Sequence, residues 1–261
     1  MSHYYTATGE LVDPWTPGAY PSATTILDKI KNDGIVAFRS RMGDEAADAY
    51  MAIAQGRGTR VHKACEMYAL SDGDYDLTIS TAHFVDGYWV EFIAGQPIWI
   101  APEIDYFDGF VRWVETYRVK FIWVEKFLIN HTDKYAGTTD WVAELIHPDT
   151  SEITIWDGDI KTGRTVVKTG LQLRFYKAAL VDMVKRSLIA WEHDIPVTKV
   201  RMGALYLDAK RACGYRYFKS DWGMLEYKEP LSAIKAHLAV FKWWARKNPV
   251  KQREEGIVWE P

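Results

Sequence analysis

The chain is poor in cysteine, with two residues, Cys65 and Cys213, among 261. Two thiols cannot build a disulfide framework or a four-cysteine zinc or iron-sulfur site, so any metal must rest mainly on oxygen and nitrogen. Long apolar runs are also absent: no segment approaches the ~20 residues that a membrane span requires. The stretch "MSHYYTATGELVDPW" has neither a basic n-region nor an apolar h-region, and a soluble, cytoplasmic protein is expected. An excess of positive charge is missing too. A formal net charge of -3 argues against a general polyanion binder and leaves room for a local basic cleft. Repeats, low-complexity tracts and Pro/Gly/Ser linkers are lacking, so the simplest reading is one domain over residues 1–261.

What is present is a chain with 48% hydrophobic and 26% charged residues, enough to bury a sizeable core. The first twenty residues read as loop or arm. "PSATTILDKIKND" carries a helix-onset signal, "DEAADAYMAIAQ" continues helical, and "GRGTRVHKACEMYAL" has a glycine-rich entry followed by helical periodicity. Residues 83–95 and 106–119 are further helix candidates, making residues 1–120 a helical lobe. From residue 121, "FIWVEKFLIN", "YAGTTDWVAELI" and "SEITIWDGDIK" are rich in β-branched and aromatic residues and read as an antiparallel meander. "GLQLRFYKAALVDMVKRSL" predicts a helix, "VRMGALYLD" and "YRYFKS" two strands, and "PLSAIKAHLAVFKWWARK" a closing amphipathic helix. The expected fold is α/β: a mixed sheet flanked by helices in residues 121–261, with the helical lobe before it.

The residues that suggest chemistry lie in the meander. In "IWDGDIKTG", Asp157, Asp159 and Lys161 alternate along a strand and leave one face. An acid and a lysine two apart can hold a divalent metal and, beside it, stabilise developing negative charge. On an exposed strand the same triplet is a solvated ion pair worth ~0–1 kcal/mol. Asp140, in "GTTD" on the preceding strand, tips the balance, because an antiparallel neighbour brings it close to Asp159. Two carboxylates plus a backbone carbonyl suit Mg²⁺ or Mn²⁺. Gln172 and Tyr176 share a helical face and could orient a ligand or water. His62 and Glu66 stand one helical turn apart, as a metal ligand and its orienting partner can. Glu125 reads either as a group supporting the site from behind or as an edge charge, and Asp157 either as an alternative ligand or as the acid of a bulge at Gly158.

In chain order these pieces are Gly-Thr-x-x-His, Glu, Gly-x-x-Asp, Asp-x-Lys-Thr-Gly and Gln-x-x-x-Tyr. The order resembles the RecB-like branch of the PD-(D/E)XK nuclease superfamily, especially the compact exonucleases of phages, mitochondria and CRISPR-adaptation systems, over residues 21–190. The resemblance implies a restriction-endonuclease-like fold with His62, Asp140 and Asp159 as metal ligands. The Ile160 carbonyl would face the metal, Lys161 would be the catalytic lysine, and Gln172 and Tyr176 would organise the site and the DNA end. It implies one or two Mg²⁺ or Mn²⁺ ions without an iron-sulfur cluster, since the cysteines are lacking, and an enzyme without a helicase. The implied activity is hydrolysis of phosphodiesters from DNA ends, with a recombination or replication protein as a conceivable partner.

Candidate substrate contacts are Arg164, Lys168, Arg174 and Lys177, and Lys210, Arg211, Arg216 and Lys219 in "KRACGYRYFK". Such side chains meet phosphates while tyrosine or tryptophan stacks bases. The competing readings are an endonuclease using the same site, a non-catalytic nucleic-acid-binding module, and a carboxylate-metal hydrolase of small molecules.

Overall fold

The computed structural model describes residues 3–13, 16, 18–28, 33–71, 83–85, 88–93, 96–98, 103–163, 167–207 and 222–247. Its centre is a five-stranded mixed sheet. Strands β7 (Lys120–Asn130), β8 (Tyr135–Ile146) and β9 (Ile153–Lys161) form the expected antiparallel meander. Helix α5 (Val167–Lys185) then crosses over, so that β10 (Arg201–Leu207) pairs parallel to β9, and β11 (Trp222–Tyr227) closes the far edge antiparallel. The order is β11-β10-β9-β8-β7. A parallel neighbour needs a long crossover, and the α5 segment supplies it.

Both faces of this sheet are covered, which is why its strands alternate between two sets of apolar residues rather than between apolar and polar ones. One face, with Val142, Ile155 and Leu128, packs on α5, on the short helix α1 (Ala23–Leu27) and on the last helix α6 (Leu231–Lys247). The other, with Trp141, Ala143, Trp156 and Ile160, packs on α3 (Asp44–Leu70) and α4 (Glu103–Tyr117) through Val61, Cys65, Phe110 and Trp113. The N-terminal helices therefore share a core with the sheet.

Local chemistry sets the helix starts. Ser22 caps α1 by accepting the Thr25 N–H at 2.9 Å, and Asp44 and Glu45 place negative charge on the first turn of α3. Before α3 comes α2 (Asp33–Met42).

Several expectations are corrected. The first twenty residues contain three short strands, β1 (Tyr4–Tyr5), β2 (Leu11–Val12) and β3 (Tyr20–Pro21), anchored by buried Tyr4. The described residues within 83–95 are not helical: β4 (His83–Val85) and β5 (Tyr88–Ile93) form a small antiparallel sheet with β6 (Gln96–Ile98). β-branched and aromatic content prevailed there over an apolar spacing that also fits a helix. The glycine-rich entry at Gly56–Gly58 does not start a helix but lies inside α3. The expected strand at 215–220 lies outside the described residues. Among the described residues, no helix is long and apolar enough to cross a membrane.

Candidate metal centre

The site forms where β8 and β9 stop pairing. Their ladder runs from Ile146↔Ile153 to Trp141↔Gly158, and the next cross-strand pair would be Asp140 and Asp159. Like charges placed directly opposite destabilise a ladder. Here the Asp140 side chain takes the place of the missing rung, its Oδ2 accepting the Ile160 N–H at 2.6 Å. A strand residue directs its N–H and C=O to the same side, so the Ile160 carbonyl is aimed at the same gap.

Helix α3 brings His62 to this gap, with Nδ1 at 3.3 Å from Asp140 Oδ2. Strand β7 brings Glu125, which lies between the rungs Val124↔Trp141 and Lys126↔Thr139 and so opposite Asp140. Glu125 has φ of +47°, in the left-handed region, where a residue with a side chain costs on the order of 1–3 kcal/mol. One ligand atom each from His62, the exposed Glu125 and Asp140 falls within 4.8 Å of the others. Adjacent ligands of an octahedral ion bound at ~2.1 Å stand about 3 Å apart, so the His62–Asp140 separation is close to one octahedral edge. A cavity of about 10 Å³, the size of one water, has His62, Glu66, Glu125 and Asp140 on one side and apolar residues such as Phe110, Phe121 and Trp141 on the other. One imidazole and two carboxylates around such a space fit a small divalent cation.

The electrostatics show what the cluster lacks. Burial, then Asp159, pushes the Asp140 carboxyl up to about 6. Glu125 is exposed along part of its surface, yet partial burial, then Asp140 and Glu66, raises its carboxyl to about 7. Several carboxylates crowd together with few cations between them, an arrangement that a bound cation would relieve.

Asp159 does not join the His62, Glu125 and Asp140 group. It is 2% exposed and forms an ion pair with Lys161, whose ammonium is itself largely covered. Burial opposes the Lys161 charge, but Asp159 and then Asp140 outweigh it and hold its pKa above the ordinary value. Lys161 is thus a fixed cation beside the gap, not a proton acceptor near neutral pH.

No family model matches this chain, and no curated protein does.

The remaining candidates take distinct places. Tyr176 is 5% exposed and lies so close to Gly137 that a Cβ there would come within 2.6 Å of its ring. Burial, then Asp159, raises its phenol well above the usual range, and the hydroxyl accepts from Gln172 Nε2 at 2.9 Å. Gln172 and Tyr176 therefore flank Asp159 from α5. Glu66 lines the cavity and is engaged by Lys63 at 2.8 Å. Asp157 faces α5, is fully buried and accepts from the Thr139 hydroxyl at 2.6 Å, while burial pushes its carboxyl up to about 7. It is neither in the His62, Glu125 and Asp140 group nor part of a bulge, since Gly158 pairs regularly on both sides. Lys168 is tied to Asp28 at 3.7 Å, and Arg174 and Lys177 lie on the outer flank of α5. Arg164, Lys210, Arg211, Arg216 and Lys219 lie outside the described residues.

Three contributions escaped the sequence reading. Arg57 Nη2 donates to the Thr162 carbonyl at 3.3 Å and, with Gly58 close to the Thr162 side chain, holds the end of β9 against α3. Tyr206, in register with Lys161, shares a 2.7 Å hydroxyl contact with Tyr227, and Tyr227 acts electrostatically on Lys161. The third is Glu125 as a ligand, for which the only signal in the sequence was a lone acid in an apolar strand.

Proposed function

We propose that this chain is a metal-dependent nuclease of the PD-(D/E)XK type that hydrolyses phosphodiester bonds from DNA ends. The observation that carries the reading is the gap between β8 and β9, where Asp140 replaces a rung and meets His62 and Glu125 while the Asp159–Lys161 pair stands alongside. His62, Glu125 and Asp140 would hold a Mg²⁺ or Mn²⁺ ion, with the Ile160 carbonyl directed at the same place and Asp159 adjacent. Such an ion, when bound, supplies Lewis-acid polarisation of a phosphoryl oxygen and lowers the pKa of a bound water. Lys161, kept charged by Asp159, is placed to offset negative charge on the scissile phosphate and to orient the attacking water. Tyr176, held by Gln172 and packed on Gly137, lies within electrostatic reach of Asp159. Helix α3 and strand β7 also line an open hollow of about 410 Å³ at His62, Glu66 and Glu125, through which a phosphate can reach the centre.

The test is degradation of end-labelled linear and covalently closed circular DNA, single- and double-stranded, in Mg²⁺ or Mn²⁺, with Lys161→Ala beside the wild type. Loss of linear DNA alone, abolished in Lys161→Ala, is the expected result. Cutting of circles makes the enzyme an endonuclease. Absence of metal-dependent cleavage of every substrate overturns the reading and leaves a binding module.

A further inference from the structure

The outer flank of α5, away from the metal centre, carries more positive charge than the described residues neutralise. Two hollows of about 350 and 380 Å³ adjoin there and share Arg174, Lys177 and Thr198. Most charges lining them are matched within the fold. Glu226 is held by Arg201 at 2.7 Å and by Lys228 at 3.5 Å, Asp133 pairs with Lys235, and Asp182 takes Arg186 at 3.0 Å. Glu229 is the exception among the acids. It rests against Gly170 in the first turn of α5, where a Cβ would lie 2.1 Å from its Oε1, so its charge faces the positive end of the helix.

Four cations are left over: Arg174, Lys177, Lys185 and Lys199. None forms an ion pair with a described residue. Two of them are only partly open to solvent, which makes their isolation costly. Arg174 Nε is buried without any hydrogen-bond partner. Burial lowers the pKa of both Arg174 and Lys177, and Arg174 lowers that of Lys177 further. Glu229 Oε2 is likewise buried without a partner, so among the described residues this flank sets four unpaired cations against one unpaired acid and retains the capacity for an anion.

The placement along the helix says which anion. Arg174, Lys177 and Lys185 span eleven residues of α5, about 16 Å at 1.5 Å per residue. That length covers about five nucleotide steps at the ~3.4 Å rise of a strand in a duplex, and fewer along an extended single strand, in either case more than a single phosphate or a mononucleotide would use. Gln172 and Tyr176 stand at the metal centre on this same helix, and Tyr227 both lines the first hollow and acts on Lys161. At about 100° per residue Arg174 lies about 160° around the helix from Gln172 and Tyr176, so the row of cations runs along the side of α5 turned away from the sheet.

We propose that the outer flank of α5 is a phosphodiester-binding track, in which Arg174, Lys177, Lys185 and Lys199 hold the backbone of a DNA strand on the side of the helix opposite the metal centre. This rests on the nuclease reading for its ligand, and it adds where the substrate lies. The contacts are to phosphates alone, so the track reads no sequence.

The test is fluorescence anisotropy of an end-labelled single strand of about twenty nucleotides with the full chain in metal-free buffer, titrated across salt concentrations. Two double variants are compared with the wild type: Arg174→Gln with Lys177→Gln, and Lys185→Gln with Lys199→Gln. The second pair is exposed, so its substitution does not put folding at risk. Each pair is expected to weaken binding about tenfold or more and to reduce the slope of log K against log salt by about 1.4, at ~0.7 per lost contact. Unchanged affinity and slope in both variants overturn the track, and do so independently of whether the wild type cleaves DNA. Wild type that binds no DNA overturns it as well. Binding through these cations without any cleavage upholds the track and sinks the nuclease reading alone.

Discussion

Saturating Mg²⁺ or Mn²⁺ is expected to stabilise the native fold, and Asp140→Asn to abolish the gain. Only the folded chain gathers ligand atoms of His62, Glu125 and Asp140 within 4.8 Å, so the ion binds the native state and scarcely the unfolded one. At a concentration a hundredfold above Kd, that preference contributes about 2.7 kcal/mol. For a chain of this size, each kcal/mol moves Tm by about 2–4 °C, so the expected rise is about 5–11 °C. Asp140→Asn keeps an oxygen able to accept the Ile160 N–H now bound at 2.6 Å, so the variant should fold. It removes one of the charges that crowd the gap, and the metal-free variant should be at least as stable as the metal-free wild type. If affinity drops a hundredfold, the residual gain at the same metal concentration is about 0.4 kcal/mol, a degree or two. Glu125→Gln should act in the same direction. Asp159→Asn should keep more of the gain, because Asp159 is engaged by Lys161 and stands outside the group. Differential scanning fluorimetry with metal titration reads all four proteins. A wild type whose Tm ignores millimolar metal, or an Asp140→Asn variant that retains the full rise, refutes the assignment.

Two further outcomes test the scaffold. A Cβ at Gly158 would lie 2.0 Å from Trp141 Cζ2, far inside the ~3.5–4 Å of normal contact, and Trp141 is buried against Trp113. Gly158→Ala should therefore cost about 1–3 kcal/mol or more, read as a lowered urea midpoint; an unchanged midpoint would mean that the two strands do not pack as described. Asp182 supplies the pH test. Burial works against its charge, but hydrogen bonds from Thr132 and the His131 N–H, with Arg186, outweigh burial and hold its carboxyl below the usual range. A depressed folded-state pKa gives stability that is present above the unfolded value near 4 and is lost as pH falls through the folded value. Asp182→Asn should cost about 1 kcal/mol at pH 7 and progressively less under acid, measured by denaturation at several pH values; a loss that is constant with pH would contradict the charge argument.

The sequence by itself determined the three strands of the central meander and their consecutive pairing. The runs 121–130, 135–146 and 151–161 carry β-branched and aromatic residues between the turns "HTDK" and "HPDT", and such local signals survive folding because each strand is long and its turns are short. It also marked Asp140, Asp159 and Lys161 as worth attention, since acids amid apolar strand residues are costly unless they have work to do. Tertiary structure alone decided how those residues are shared out. Whether Asp159 faces an ion or Lys161 depends on where β8 and β9 part, which is a property of two strands and not of either one. Glu125 enters the cluster from a backbone with φ of +47°, a strain that no residue pattern records and that the surrounding sheet must impose. The helix in residues 83–95 failed for the opposite reason: a short apolar run suits a strand and a helix equally, and pairing partners settle the choice. The row of unpaired cations on α5 likewise became visible only once Glu226, Asp133 and Asp182 were seen with their own partners, because ion pairs join residues as far apart in sequence as Asp133 and Lys235. Periodicity is a local property of the chain, whereas charge balance at a site is summed over everything the fold brings near it.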